Sequence, residues 1–170
     1  MKDEVVDDSP FLLGVKGRLN VKEISSKSSY MDSGFYIIKN DLFKAIIRCG
    51  PLSMKGQGGH SHNDQLSFIL SIAGLPVFID PGTITYTGNA ELRNLSRRTS
   101  SHNTVQIGDE EQNLIGNDLF ALKERTFSKC IVHSDSHFEG EHQGFFDRFG
   151  CVHKRIIDIK DSEFSVSDFI

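Results

Sequence analysis

Short β-prone runs, cut off by glycine, proline, asparagine or aspartate, recur along most of this chain, and nowhere does a helical period take over. Phe35-Tyr36-Ile37-Ile38 and the run over 42–47 flank Lys39-Asn40-Asp41, a polar turn between two strands, which predicts a hairpin. Leu66, Phe68, Leu70 and Ile72 alternate with Gln65, Ser67 and Ser71, so a strand here has one apolar and one largely polar face. Ala73-Gly74-Leu75-Pro76 then turns the chain into Val77-Phe78-Ile79-Asp80, and Pro81-Gly82 stops that strand. Further strands are expected over 104–107, 119–122, 130–133, 152–159 and 164–169. No stretch of ~10 residues or more joins 3.6-residue periodicity to caps, so helix should be minor. The pattern predicts an all-β chain folded as an antiparallel β-sandwich.

At 170 residues the chain suits one sizeable domain, expected to span 1–170. Nineteen lysines and arginines against 23 aspartates and glutamates give a net charge of −4, without the basic excess of a general nucleic-acid binder. No apolar run approaches the ~20 residues that span a bilayer, which excludes membrane insertion. Cys49, Cys130 and Cys151 form no CxxC, so neither a zinc ribbon nor a redox motif is indicated. Buried free thiols are expected, with one disulfide plus a spare as the alternative. Residues 1–8 offer no apolar core of a signal peptide, and 25–29 read as a serine-rich loop. The last six residues alternate like a strand and lack a terminal turn, as in a piece cut from a longer protein.

Gly58-Gly59-His60-Ser61-His62-Asn63-Asp64 is the segment richest in chemistry. If extended, it aligns His60, His62 and Asp64 on the face that continues as Leu66, Phe68 and Leu70. Two imidazoles and a carboxylate are ligands that zinc prefers, and they serve equally in a hydrogen-bonded structural cluster. Asp80 before Pro81-Gly82 and His102 before Asn103-Thr104 each have plain explanations, a turn former and a solvated loop residue. The hairpin at Ala73–Pro76 sets Ile69 opposite Asp80, which leaves His62 about 23 Å away along a straight strand at ~3.3 Å per residue. To meet, the chain must bend before Leu66 or leave the sheet after Asp80.

GHSHND at 59–64, LSFILSIAGLPVFIDPGT at 66–83, TYTG at 85–88 and SSHNTV at 100–105 follow one another in an order that resembles the C-terminal β-domain of the heparinase II/III-like polysaccharide lyases. The resemblance covers about 50–112, more weakly the 35–49 hairpin and His153-Lys154-Arg155. It implies a β-sandwich that follows an α/α toroid, with the active site in the cleft between them. Nothing here resembles the toroid, so the resemblance implies an excised C-terminal fragment. Carried over by motif, it makes His62, Asp80 and His102 the ligands of a Zn2+ ion and sets His60 in the cleft as a catalytic residue. Tyr86 is the candidate for a tyrosine that also approaches substrate, and Asp64 is expected to hydrogen-bond behind the ligands. The family often has alanine where Asn63 stands, a change expected to be harmless.

The implied reaction is β-elimination on an acidic, uronic-acid-containing polysaccharide. A base removes the proton at C5 and an acid protonates the leaving glycosidic oxygen. Both groups, a tyrosine and a histidine, would belong to the toroid, the metal acting as organiser, and the protein would be periplasmic or extracellular. Arg93, Arg97 and Arg98, opposed by Glu91, make 88–104 a locally basic loop that would steer such a polymer, or a plain solvated loop. His133, His137, His142 and His153 form no ligand set and read as surface histidines. The rival reading is a noncatalytic acidic-glycan-binding or structural sandwich, with the histidine cluster as a staple.

Overall fold

Asn40 closes the first hairpin: its Oδ1 accepts from the N–H groups of Leu42 (3.0 Å) and Phe43 (2.7 Å). Strands β2 (Phe35–Lys39) and β3 (Phe43–Arg48) therefore pair as the sequence predicts. In the computed structural model, which describes residues 29–170, they sit in a five-stranded antiparallel sheet with β1 (Ser29–Tyr30), β4 (Phe68–Ile72) and β5 (Leu75–Phe78). Its order is β1-β2-β3-β4-β5. Of the serine-rich run only Ser29 lies within the described residues, where it opens β1.

After a small ladder of β6 (Leu114–Ile115) and β7 (Leu122–Lys123), a second sheet forms from β8 (Lys129–His133), β9 (His137–His142), β10 (His153–Lys160) and β11 (Glu163–Phe169). Its order is β11-β10-β9-β8, antiparallel throughout. The inner faces meet in one core: Tyr36, Ile38, Ala45, Ile47, Phe68 and Leu70 from the first sheet against Phe138, Ile157 and Ile159 from the second. The chain is an antiparallel β-sandwich. Burial pushes the Cys49 thiol up to about 12, with Cys130 adding to it, and all three thiols are free.

Strand β9 escapes sequence reading because its inward row is Phe138, Gly140 and His142. Its outward row is held by cross-strand pairs: the ion pairs Glu139 to Lys154 (2.6 Å) and Glu141 to Lys129 (2.9 Å), and a hydrogen bond between His137 and Asp158 (2.7 Å). The expected strand over 104–107 does not form. Its start is committed to side-chain bonds instead, with Thr104 Oγ1 donating to Leu66's neighbour Gln65 at its carbonyl (2.7 Å). Of 119–122 only Leu122 enters a strand, because 118–121 is a turn in which Ala121 N–H donates to Asp118 O.

Among the described residues α-helix is confined to short pieces, α1 (Ser53–Gly56), α2 (Ala90–Arg97) and α3 (Phe146–Phe149). Helix α2 has a true N-cap, Asn89 Oδ1 accepting from Leu92 N–H at 3.0 Å. It shows no apolar stripe because its buried face is Arg93, Ser96 and Arg97, while Leu92 and Leu95 are exposed.

Phe138 is fully buried and packs on Tyr36 with ring centroids 5.4 Å apart. Phe138→Ala is expected to cost about 3–5 kcal/mol, read from the midpoint of urea unfolding, because the two sheets cannot close over the lost ring.

Candidate functional site

The 58–66 segment is not a strand. Gly58 (φ +70°) and Leu66 (φ +58°) both bend it, Ser61 N–H bonds back to Gly58 O (3.1 Å) and Ser67 N–H to Asp64 O (3.0 Å). Leu66 is drawn into the core by Arg48 O, which accepts its N–H at 2.7 Å. The row of His60, His62 and Asp64 expected on one face is thereby broken up. His60 is exposed beside Tyr86 and Phe120, His62 turns towards His102, and Asp64 lies 3.9 Å from Arg48 Nε. No side-chain hydrogen bond joins Asp64 to His62, Asp80 or His102, though its charge feels two of them: burial raises its carboxyl, Arg48 and then His102 pull it down, and Asp80 adds to the rise.

The second segment leaves the sheet as well. The hairpin turn is Ala73-Gly74, both with positive φ, as a two-residue turn of this hand requires. A bulge between Leu70 and Ser71 sets Leu70 opposite Phe78, where β5 ends. This replaces the expected pairing of Ile69 with Asp80. Beyond it, Asn103 Nδ2 donates to Phe68 O (3.0 Å) and Ile79 O (2.8 Å), filling the gap where β4 and β5 part. Of the two departures that could each close the separation of about 23 Å, both are present: a bend before Leu66 and a chain that leaves the sheet, already after Phe78.

His62, Asp80 and His102 consequently meet. His102 Nδ1 donates to Asp80 Oδ2 at 2.6 Å, and the His62 and His102 ring centroids are 5.2 Å apart. His62 Nε2 bonds Thr83 Oγ1 at 3.1 Å, and Asp80 Oδ1 accepts from Gly82 N–H at 2.8 Å. Burial, and then the neighbouring His102, pulls His62 down to about 4, so its ring is neutral at physiological pH. Burial would raise Asp80, but the bonds from His102 and Gly82 outweigh it and hold the carboxyl below its usual range. With Nδ1 donating, His102 Nε2 carries a lone pair, and that atom is buried without a partner. Among the described residues no three side chains of these types are arranged to hold one ion as they stand; Asp80 Oδ2 accepts from His102, and His62 Nε2 is bonded to Thr83.

Arg93 and Arg97 do not form an exposed basic loop. They lie on the inner face of α2 at 1% and 0% exposure. Arg97 donates to the carbonyls of Asp118, Leu119 and Ala121 at 3.0–3.1 Å. Arg93 donates to Leu119 O (2.9 Å) and stacks on Tyr86 (5.1 Å) and Phe120 (4.7 Å). Of the three, Arg98 alone is exposed. The cation thus braces the aromatic pair from behind, and the pair faces His60, with ring centroids 6.0 and 6.1 Å away. Phe120 had no signal in the sequence, because only the turn at 118–121 brings it here.

Asn63 was expected to be indifferent and is a hub. It is fully buried, its Nδ2 donating to Glu111 Oε2 (2.7 Å) and Asn113 O (3.0 Å), its Oδ1 accepting from Asn113 N–H (3.0 Å). His142 and His153 are likewise fully buried rather than on the surface, because both point inward between the sheets and satisfy each other, Nε2 to Nδ1, at 3.1 Å.

Fold and loops together define a two-sheet antiparallel β-sandwich carrying a cluster of two histidines and an aspartate at one end. The chain belongs to the heparinase II/III-like family as its C-terminal domain, whose model matches residues 25–170. A heparin-sulfate lyase from Bacteroides stercoris is 30% identical over 88 residues, 48% of this chain and 13% of that protein. Among solved structures, a heparinase III with methylated lysines superposes with a TM-score of 0.62 at 23% identity, over 94% of this chain and 23% of its own. A mutant heparan sulfate lyase from Pedobacter heparinus gives 0.62 at 17% identity, over 94% and 24%. At these identities the structures speak for the fold, and the chain spans 13–24% of these relatives' lengths. Among the described residues no helix is long and apolar enough to cross a membrane.

Asn63→Ala would leave Asn113 N–H and Glu111 short of partners, and is expected to cost about 1–3 kcal/mol in urea unfolding. Burial, then His153 and Arg155, lowers His142 to about 3. Below its ordinary value of ~6.5 the unfolded chain therefore binds the proton and the fold does not. Stability from this group is complete above about pH 6.5 and drains away as pH falls from there towards 3. Urea midpoints of His142→Gln are expected to fall less than those of the parent between about pH 7 and pH 4.

Proposed function

We propose that this chain is the C-terminal β-domain of a polysaccharide lyase that cleaves a uronic-acid-containing acidic polysaccharide by β-elimination, and that it supplies a zinc site and one wall of the cleft. The observation that carries this reading is His60 beside Tyr86. Both are exposed, their ring centroids are 6.0 Å apart, and each lies two or three residues from a partner in the His62–Thr83 bond beneath. Reactive side chains thus stand on a rim whose position a buried cluster sets.

The C5 proton of a uronate is weakly acidic, so elimination needs its carboxylate neutralised and the developing charge stabilised. An imidazole such as His60 can donate to that carboxylate or carry a proton, and the phenol of Tyr86 beside it can orient or donate. Tyr86 and Phe120 offer flat apolar surface to a sugar ring, and Arg98 is the cation left to steer an acidic polymer. The principal base and acid, a tyrosine and a histidine, would come from an N-terminal toroid, and the protein would act in the periplasm or outside the cell.

In side-chain type, though not in its present arrangement, the cluster suits a zinc ion. His102 Nε2 is a buried lone pair without a partner, His62 is neutral at its side, and Asp80 supplies the carboxylate. His62, Asp80 and His102 would hold the ion, which would draw on the lone pairs now shared with Thr83 and with His102 itself. When bound, zinc supplies rigidity, fixing the segments that carry His60 and Tyr86.

Protein purified without a nickel column is expected to hold about one equivalent of zinc; less than about a tenth, with no rise in Tm on adding zinc, would remove the ion. In the full-length protein His60→Ala is expected to lower kcat by about 10²–10⁴ while stability moves by less than ~0.5 kcal/mol. His62→Ala is expected to lose zinc and stability together. Turnover is followed by ultraviolet absorbance of the unsaturated uronate across a panel of acidic polysaccharides, and the 170-residue chain alone is expected to give none. Full-length protein that binds these polymers yet cleaves none would overturn the lyase in favour of a noncatalytic glycan-binding module.

A further inference from the structure

The inward row of β10 changes character along its length: Ile157 and Ile159 belong to the apolar core, whereas His153 and Arg155 continue the same row as polar groups. Arg155 is 4% exposed and all three of its nitrogens donate. Nε and Nη2 clasp the Asp168 carboxylate at 2.7 and 2.9 Å, and Nη1 crosses to Leu66 O (2.5 Å) and Asn103 O (2.7 Å). Behind Asp168 runs a chain of bonds whose direction is set by its far end. Gly144 N–H can only donate, so His142 Nδ1 accepts (3.1 Å); His142 Nε2–H then donates to His153 Nδ1, and His153 Nε2–H to Asp168 Oδ1 (2.7 Å). Two neutral imidazoles thereby pin the carboxylate that pins the guanidinium.

The two carbonyls that Arg155 holds are not arbitrary points on the surface of the core. Leu66 lies four residues after His62, and Asn103 follows His102 directly. Asn103 in turn grips Ile79 O, next to Asp80, through its side chain. A planar fork with five donors reaches both carbonyls and the carboxylate at once; a lysine ammonium on the same strand does not. An apolar side chain would leave the buried Leu66 carbonyl and the half-buried Asn103 carbonyl without this donor.

We propose that Arg155, held by Asp168, His153 and His142, is a positioning residue that sets the mutual spacing of His62, Asp80 and His102, and through it the affinity for zinc. The zinc part rests on the reading given under Proposed function, while the spacing itself does not. A residue acting this way differs from one that merely stabilises the sandwich: its loss alters the cluster in molecules that remain folded.

The intact protein carrying Arg155→Lys is compared with the parent and with Ile159→Val, a core change on the same strand away from the cluster. Zinc affinity is measured by competition with a chromogenic chelator well below each Tm, and nitrogen-15 spectra of the metal-free proteins report the His102 Nδ1–H bond to Asp80. Arg155→Lys is expected to weaken zinc by about 10–100-fold and to erase or shift the His102 signal, while Ile159→Val lowers Tm and moves neither. If Arg155→Lys fails to fold, Asp168→Asn decides, with a smaller change expected in the same direction. Zinc affinity within about twofold of the parent together with an unchanged His102 signal, in a folded variant, would overturn the positioning role. Should the parent bind no zinc, the metal reading falls by itself and the His102 signal alone judges the spacing.

Discussion

The bidentate bond between Arg155 and Asp168 is the interaction on which the polar end of the sandwich depends. A charge taken out of water is costly unless it is paired and its remaining hydrogen bonds are met. Here the cation meets one carboxylate and two carbonyls, and its guanidinium carbon lies 5.5 Å from the centre of the Phe68 ring. At the other end Phe43 and Phe164 pack with centroids 6.0 Å apart, so one pair of sheets is closed by apolar contact there and by charge here.

That polar closure permits the loops to be irregular. Where β4 and β5 diverge, backbone groups lose their ladder partners, and the side chain of Asn103 takes their place. The same economy appears along 63–65. Gln65 N–H and carbonyl pair with the Gln112 amide at 2.9 and 3.1 Å, Asn63 pairs with the backbone of Asn113, and Glu111 ties Thr99 by its N–H and its hydroxyl at 2.8 Å each. Amide side chains act as short lengths of strand, and the 58–66 segment is held firmly without belonging to a sheet.

Helix α2 inverts the usual rule of burial. Its arginines go in because the carbonyls of 118–121 converge on them, and its leucines stay out because no apolar surface faces them. Arg93 stiffens Tyr86 and Phe120 from behind, so the exposed aromatic rim beside His60 rests on a buried cation. A hydrophobic periodicity search passes over such a helix, since the stripe it presents to the fold is charged.

By itself the sequence determined the sandwich, because alternation along 66–72 and 152–159 and the turn chemistry at Asn40 and Ala73-Gly74 are local properties that any partner strand must respect. The resemblance carried by four ordered motifs implied that His62, Asp80 and His102 belong together, which spacing alone did not. Only the tertiary structure decided how they meet, by bending at Leu66 and parting β5 from β4, and that Asp64 turns away to Arg48. Only it placed His142, His153, Arg93 and Arg97 inside. The physical reason is the same in each case. An apolar side chain is driven inward whatever lies across from it, whereas a polar one goes in only where distant residues offer it hydrogen bonds, and each of these four has such partners between 11 and 26 residues away in the chain.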